Sequence, residues 1–401
     1  MLTFEEAREA ILAAVSPLGV EAVETSELNR RVLAESLIAP LNLPVADNSS
    51  MDGYAVRAED LRLATAENPV ALKLLGKVPA GETTEVAVEE GTCMRIFTGS
   101  VLPSGADAVI MQEDTSTRGD DECVRCLDTV KPWENIRFKG EDVKAGATLL
   151  DQGTRLSARH LAVISALGTV SLKVGKQPRV ALLATGHELQ EAGQALPPGS
   201  IYESNRLILA ELIRLIGGDP VVYPLVDDTM EATKAALQLA ARECDAIVTS
   251  GGVSVGDYDL IRPAIEALGG TIDFWRVRLR PGKPFVFAHL EGKPVFGLPG
   301  NPVSAVTTYM ALVRAAILKM QGASDLEPRR RPCVLSESIA NRGDRPHFFR
   351  VQLDEDQGVT SAGLQGSHAL QSLARADGWL CVEPGTTLDA GAAVSVMVWD
   401  D

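Results

Sequence analysis

The densest chemistry in this 401-residue chain lies in Thr249-Ser-Gly-Gly-Val-Ser-Val-Gly-Asp-Tyr-Asp259. Glycines let backbone N–H groups approach an anion closely, and a following helix N-terminus favours negative charge. Two serines and two carboxylates exceed what a bare strand-to-helix turn needs, so Ser250, Gly251, Gly252, Ser254 and Gly256 are candidate substrate-binding residues. A second segment, Arg276-Val-Arg278-Leu-Arg280-Pro-Gly-Lys283-Pro284, concentrates cations in a chain of formal net charge −16. Alternation predicts Arg276, Arg278 and Arg280 on one strand face, with Pro281-Gly282 turning Lys283 to the strand end. Clustering against the overall sign points to an anion pocket rather than a solvated face. A third segment, Gly297-Leu-Pro-Gly-Asn-Pro-Val-Ser304, ends a strand and starts a helix: Asn301 caps, Pro302 takes the first turn, and free N–H groups and Ser304 sit at the positive end.

Carboxylates fall at matching places. Glu188, Asp228 and Asp259 each follow a predicted strand. Acids converging beside an anion pocket suit Mg²⁺, which takes one or two carboxylates plus substrate phosphates. Asp228 has a rival duty, because with Glu231 it also reads as a capping box. Cys123 and Cys126 form a lone C-x-x-C with no second half of a metal site, and they read as two plain thiols. The five histidines are scattered, and His187 reads as a solvated loop residue.

The elements that must position these groups alternate strand and helix from residue 178, the signature of a parallel βαβ sheet. Arg179 to Ala184, Val221 to Val226 and Ala246 to Thr249 read as strands. Ser204 caps one helix, Asp228 opens another, and Asn301 starts a third reaching Met320. Upstream, Thr3 with Glu6 is a capping-box start, and a second helix is expected near Leu28 to Ser36. Residues 45 to 140 carry short β-like runs between glycines, and the last 70 residues lack a convincing long helix. Three polar turns, around Asp52, around Thr98 and from Arg137 to Asp142, yield only loops from spacing.

Composition excludes several classes. With 45% hydrophobic and 23% charged residues the chain is neither disordered nor collagen-like. Its acidity argues against a general nucleic-acid or acidic-membrane binder. The start lacks a signal-peptide pattern, and Val303 to Met320 is interrupted by polar residues, so a cytoplasmic protein is expected.

As a set, these residues resemble the molybdopterin molybdenumtransferase (MoeA) family, which includes the E domain of gephyrin. The shared segments are Asn48 to Ala55, Phe97 to Gly99, Gly105 to Val109, Gly140 to Asp142, Thr185 to Leu189, Asn205-Arg206, Ser250 to Gly256, Pro281 to Pro284, Gly297 to Ser304 and Gln365 to Ser367. The resemblance implies a multidomain α/β and β fold in an L-shaped homodimer. Its central three-layer α/β domain, 177–327, resembles molybdopterin-binding domains. A small mostly-β domain spans 45–142, a discontinuous helical and extended domain combines 1–44 with 143–176, and a β domain covers 328–401.

The resemblance also implies the reaction: molybdate, a substrate, enters the dithiolene of adenylylated molybdopterin with Mg²⁺-dependent release of AMP. It supplies roles for Asp52, Thr98, Arg137 and Asp142, since family clefts use the small domain of the partner subunit. Ser250 to Gly256 should hold the adenylylated pterin with Arg280 and Asn301, and Glu188 and Asp259 should support Mg²⁺. Asp228 looks like a functional acid. Lys283, Pro284, Ser304, Arg345 and Ser367 match positions associated with the molybdate oxyanion. Catalysis should be electrostatic, with Lys283 and helix N-termini neutralising oxyanions. This chain departs from many relatives in Arg280, often lysine, and His187, often aspartate. Alternatives are a molybdopterin adenylyltransferase, or a non-catalytic dimeric scaffold. Expected partners include such an adenylyltransferase and apo-molybdoenzymes.

Overall fold

The structure is a computed structural model describing residues 1–117, 122–253, 259–356 and 358–399. Its chain divides into two compact units, one of Met1–Glu35, Asp151–Ser165 and Thr169–Asp401, the other of Ser36–Leu150 and Ala166–Gly168.

In the first unit a six-stranded sheet runs in the order Asp219–Val222, Arg179–Ala184, Ala246–Ser250, Lys293–Leu298, Val286–Leu290, Thr271–Trp275. The first four strands are parallel, as the alternating pattern predicts. The last two pairings are antiparallel: a two-residue turn reverses Val286–Leu290 against Lys293–Leu298, and Thr271–Trp275 pairs antiparallel with Val286–Leu290. Glu291 at φ 50° and Gly292 at φ 76° give that turn the paired left-handed conformations that match the twist of a hairpin.

Strand parity divides the core into two layers. Val180, Leu182 and Val248 face the helices Asn205–Leu215 and Pro302–Met320. Ala181, Leu183 and Ile247 face Met230–Glu243 and Ile261–Ala267. Burial on both faces explains why these strands read as unbroken apolar runs. Among the described residues Pro302–Met320 is the one helix long and apolar enough to cross a membrane, yet 94% of its apolar window is buried inside the fold. It is a core helix.

The N-terminal helix Phe4–Ala14 starts with the expected reciprocal cap between Thr3 and Glu6 and inserts Ala7 and Ile11 into the first layer. No helix forms over Leu28 to Ser36. After a single short turn at Thr25–Glu27, the chain is extended and bridges Val32 to Arg155 and Leu33 to Val174. Leu28, Val32 and Leu33 are fully buried, so their spacing imitates a helical face while long-range pairing dictates the backbone. At the other end, Arg330–Leu335, Gly358–Ser361, His347–Leu353, Gly378–Val382 and Ala393–Val398 close a five-stranded barrel.

Burial in this barrel has a pH consequence. His347 is 3% exposed, and burial, followed by the charges of Arg280, Arg350 and Arg345, lowers its pKa from 6.5 to about 4. Its neutral form is therefore favoured in the folded state. The associated stability is fully present above pH ~6.5 and is lost as pH falls from there to about 4, amounting to about 3 kcal/mol. Denaturant unfolding at pH 7, 5 and 4 should show this loss in the parent chain, with a smaller loss in His347→Gln. Equal slopes would remove His347 as the cause.

The second unit is built on a six-stranded sheet in the order Ala108–Met111, Gly53–Val56, Thr92–Ile96, Val70–Val78, Cys123–Cys126, Thr115–Ser116. Cys126 joins Cys93 in its buried core. Burial pushes both thiols up to about 12, which makes Cys93 and Cys126 inert packing residues.

Candidate functional site

Register creates the site in the first unit. Ala184 pairs with Ser250 and Ser250 with Leu298, while Thr185 bridges Val226. The four parallel strands therefore end level, and the loops that follow them open on one edge of the sheet, where open α/β folds bind ligands. Between these loops lies a cavity of about 630 Å³. Its walls are Thr185 to Leu189, Ile201 to Asn205, Asp228, Ser250 to Val253, Asp259, Pro284, Pro299 to Pro302, and His368 with Leu370 from the barrel.

All three predicted strand-end acids line this cavity. The duty of Asp228 is now assigned by geometry. Thr229, not Asp228, caps Met230–Glu243 by accepting the Ala232 N–H. Asp228 instead turns into the cleft, where its Oδ2 accepts the His187 N–H at 2.8 Å and lies 3.2 Å from the His187 Nδ1. Ligand atoms of His187, Glu188 and Asp228 lie within 4.8 Å of one another. Two carboxylates at that separation fit a Mg²⁺ that keeps further oxygen ligands, whereas the imidazole is not a usual Mg²⁺ ligand. Asp259 lines the same cavity but stands outside this closest group.

The glycine cradle is formed by tight backbone approach. Gly251 at φ 91° and Gly252 at φ 66° occupy left-handed conformations, and a Cβ on Gly251 would lie 2.6 Å from the Thr185 carbonyl oxygen. Ser250 and Asn301 line the cavity with them. Ser254 and Gly256 lie outside the described residues.

Two expectations about charge are corrected. Arg276, Arg278 and Arg280 do not share a strand face. Arg276 has φ 72° and stacks on Trp275 with its guanidinium 3.7 Å from the ring centroid, so the strand shrinks to Val277–Arg278. Arg278 donates to the Asp344 carbonyl, while Arg280 exchanges backbone hydrogen bonds with Pro346 and Phe348 at the barrel. Arg345 joins this junction by donating to the Leu279 carbonyl at 3.1 Å. The helix end at Pro302 is also less free than expected, because the Val303 N–H is taken by the Ser367 carbonyl at 3.1 Å. Ser304 is 4% exposed. Of the oxyanion set Pro284 lines the cavity, while Lys283, Ser304, Arg345 and Ser367 stand outside its wall, as does the substrate-binding candidate Arg280.

Sequence reasoning passed over the groups that hold these loops. Ser204 makes no side-chain cap. Glu203 does that work, accepting the N–H groups of Asn205 and Arg206 at 2.6 and 2.9 Å. Arg206, 6% exposed, is clamped by Glu203 and Glu191. In the barrel, Arg350 is fully buried and donates to the Ser372 hydroxyl and the carbonyls of Leu364 and Gly366, which holds the loop carrying Ser367 and His368. Burial pulls its pKa down to about 10. No periodic pattern marks such residues; for Arg350 alone the signal is a charged side chain inside the buried strand His347–Leu353.

The second unit brings Asp52, Thr98 and Arg137 to the stretch from Asn48 to Asp52, with Asp142 beside Leu43. Thr98 donates to Asp52 Oδ1 from its backbone N at 2.8 Å and its hydroxyl at 2.9 Å. Those bonds, backbone first, and Arg95 hold the Asp52 carboxyl below its usual pKa despite some opposing desolvation. Arg137 is exposed on the strand that pairs with Asn48–Ser49, and Asp142 is exposed with its N–H bonded to the Leu43 carbonyl. Thr98→Val removes the hydroxyl donor and keeps the backbone one. The Asp52 pKa is expected to rise part of the way to 3.8, read by NMR titration; an unmoved pKa would refute the assigned cause.

Comparison with known proteins adds three domain matches: residues 2–168 to the MoeA N-terminal region (domain I and II), 181–319 to a probable molybdopterin binding domain, and 332–399 to the MoeA C-terminal region (domain IV). A molybdopterin molybdenumtransferase of Haemophilus influenzae is 35% identical over 99% of this chain and 98% of its own. Molybdopterin molybdenumtransferase 2 of Mycobacterium tuberculosis is 37% identical over 97% and 96%. Among solved structures, a molybdopterin biosynthesis MoeA protein from Pyrococcus horikoshii superposes with a TM-score of 0.83 at 30% identity, covering 100% of both chains.

Proposed function

Because this chain belongs to the MoeA family of molybdopterin molybdenumtransferases, we propose that it inserts molybdate into adenylylated molybdopterin, releasing AMP, and that the sheet-edge cavity of its α/β region is where this happens. The observation carrying the site is the meeting of Glu188, Asp228 and Asp259 with the Ser250–Gly252 cradle on one cavity wall.

In this reading the Gly251 and Gly252 turn and the Ser250 hydroxyl receive the anionic phosphoanhydride group, and closely approaching backbone reduces its exposure to water. Glu188 and Asp228 would hold Mg²⁺, which when bound neutralises the charge on phosphate oxygens. Asp228 also restrains the Gly186–Glu188 turn through the His187 N–H, keeping the two carboxylates in register. Asp259 lines the same cavity as a further acid facing the substrate. Lys283 and Arg345 supply positive charge for the molybdate oxyanion, with Pro284, Ser304 and Ser367 shaping that end, and Arg280 at the barrel junction serves the adenylylated pterin. Asp52, Thr98, Arg137 and Asp142 belong to the same proposal as substrate-facing groups of a homodimer in the cytoplasm.

The end-to-end match to molybdenumtransferases favours this reading over an adenylyltransferase, and the retained acids favour it over a scaffold. The test is purified protein with adenylylated molybdopterin, molybdate and Mg²⁺, scored for AMP and assembled cofactor. Both products are expected. Binding without AMP release would replace the enzyme by the scaffold.

A further inference from the structure

Asn205 stands where the two anion-facing loops meet. It is 6% exposed and is the first residue of the helix Asn205–Leu215. Its amide nitrogen donates to Ser250 Oγ at 2.7 Å and to the Gly300 carbonyl, also at 2.7 Å. A carbonyl can only accept, so the amide orientation is set: Nδ2 faces both loops, and its two protons are both used. The other amide atom, Oδ1, is buried without a hydrogen-bond partner among the described residues. The side chain is therefore held by those two donations, while its backbone N–H is held by Glu203.

This geometry decides what Ser250 can do. A hydroxyl has one proton to give and two lone pairs to receive. Asn205 occupies one lone pair, which turns the O–H bond away from the amide. No acceptor among the described residues takes the Ser250 proton, and Ser250 lines the cavity. We propose that Asn205 is a positioning residue that makes Ser250 a hydrogen-bond donor to an anionic oxygen of the bound ligand, and that it ties the Ser250–Gly252 cradle to the Pro299–Pro302 loop. The inference rests on the reading that phosphate-bearing substrate occupies this cavity. It explains a feature the site otherwise leaves unused, an amide bridging two strand ends whose residues pair side by side as Ser250 and Leu298.

The test is a double-mutant cycle on the full chain with AMP as the probe, its affinity measured by calorimetry. Ser250→Ala removes a charge-assisted hydrogen bond and should weaken AMP by about tenfold or more. Asn205→Asp offers only acceptors. It should draw the Ser250 proton away from the cleft, repel the Gly300 carbonyl, and weaken AMP by at least about tenfold. In the Ser250→Ala background the same change should cost a clearly smaller factor, because the part that acts through the hydroxyl is gone and only the Gly300 contact and the added charge remain. A merely structural role would cost the same factor in both backgrounds, and that result overturns the inference. Asn205→Ala repeats the cycle without added charge if the aspartate variant does not fold. Wild-type AMP affinity in Ser250→Ala would instead overturn the underlying reading of the cavity. Wild-type affinity in the Asn205 variants, with Ser250→Ala impaired, would overturn the positioning role alone.

Discussion

Asp228→Asn is expected to cut AMP release from adenylylated molybdopterin by about a hundredfold while the folded structure persists. The side chain is 12% exposed, lines the cleft and lies within 4.8 Å of the Glu188 and His187 ligand atoms. Asparagine keeps the volume and an oxygen that can still accept the His187 N–H, so the turn should hold. What disappears is one of two negative charges suited to a divalent cation. The loss should therefore appear as a raised Mg²⁺ requirement as well as a lower rate, and saturating Mg²⁺ should recover part of it. Glu188→Gln should behave alike. Asp259→Ala, outside the closest ligand group, should lower the rate with a smaller change in Mg²⁺ dependence. Unchanged turnover in Asp228→Asn would remove the cation-holding role and leave this residue only its restraint of the Gly186–Glu188 turn.

That ambiguity shows where sequence reading stops. Asp228 and Thr229 are adjacent, both are capable helix caps, and spacing cannot say which one turns inward. Backbone geometry decides it: Thr229 takes the Ala232 N–H, and Asp228 is left to the cleft. Strand-end positions were more legible. Glu188, Ser250 and Asn301 each follow a buried apolar run, and parallel pairing in register then forces them to one edge. The arginine segment misled because alternation presumes an extended backbone. Arg276 in a left-handed conformation breaks the period, so the three guanidinium groups scatter to Trp275, to Asp344 and to the barrel junction. Leu28 to Leu33 misled for the opposite reason, since a buried irregular segment can carry helical spacing without helical hydrogen bonds.

What the sequence could not show is the layer of polar residues that hold the functional ones. Asn205 and Arg350 make their decisive contacts across sequence separations or to carbonyl groups, and Glu203 caps its helix from a position that no apolar period marks. Asn205-Arg206 was visible only as a shared segment without a role. The structure supplies one for each: Asn205 bridges two loops, and Arg206 braces the helix entrance between Glu203 and Glu191.

Gly251→Ala is expected to lower kcat/KM by about a hundredfold, and a second glycine separates the reasons. Gly251 combines φ 91° with a Cβ position 2.6 Å from the Thr185 carbonyl oxygen. Gly292, in the hairpin turn, has φ 76° and nothing within 4 Å of its Cβ position. Each alanine incurs the left-handed penalty of about 1–2 kcal/mol, which should lower the melting temperature of both variants by a few degrees. Only Gly251→Ala must also displace backbone. The atom in its way belongs to Thr185, one residue before the Gly186–Glu188 turn, so relief of the clash moves the carboxylate loop against the cradle. A shift near 1 Å at a reacting geometry is enough for about a hundredfold loss in rate. Gly292→Ala should therefore keep nearly full activity despite its lost stability. Equal activity in the two variants would mean that close approach of Gly251 to Thr185 does not set the catalytic geometry, and that the glycine serves only the turn.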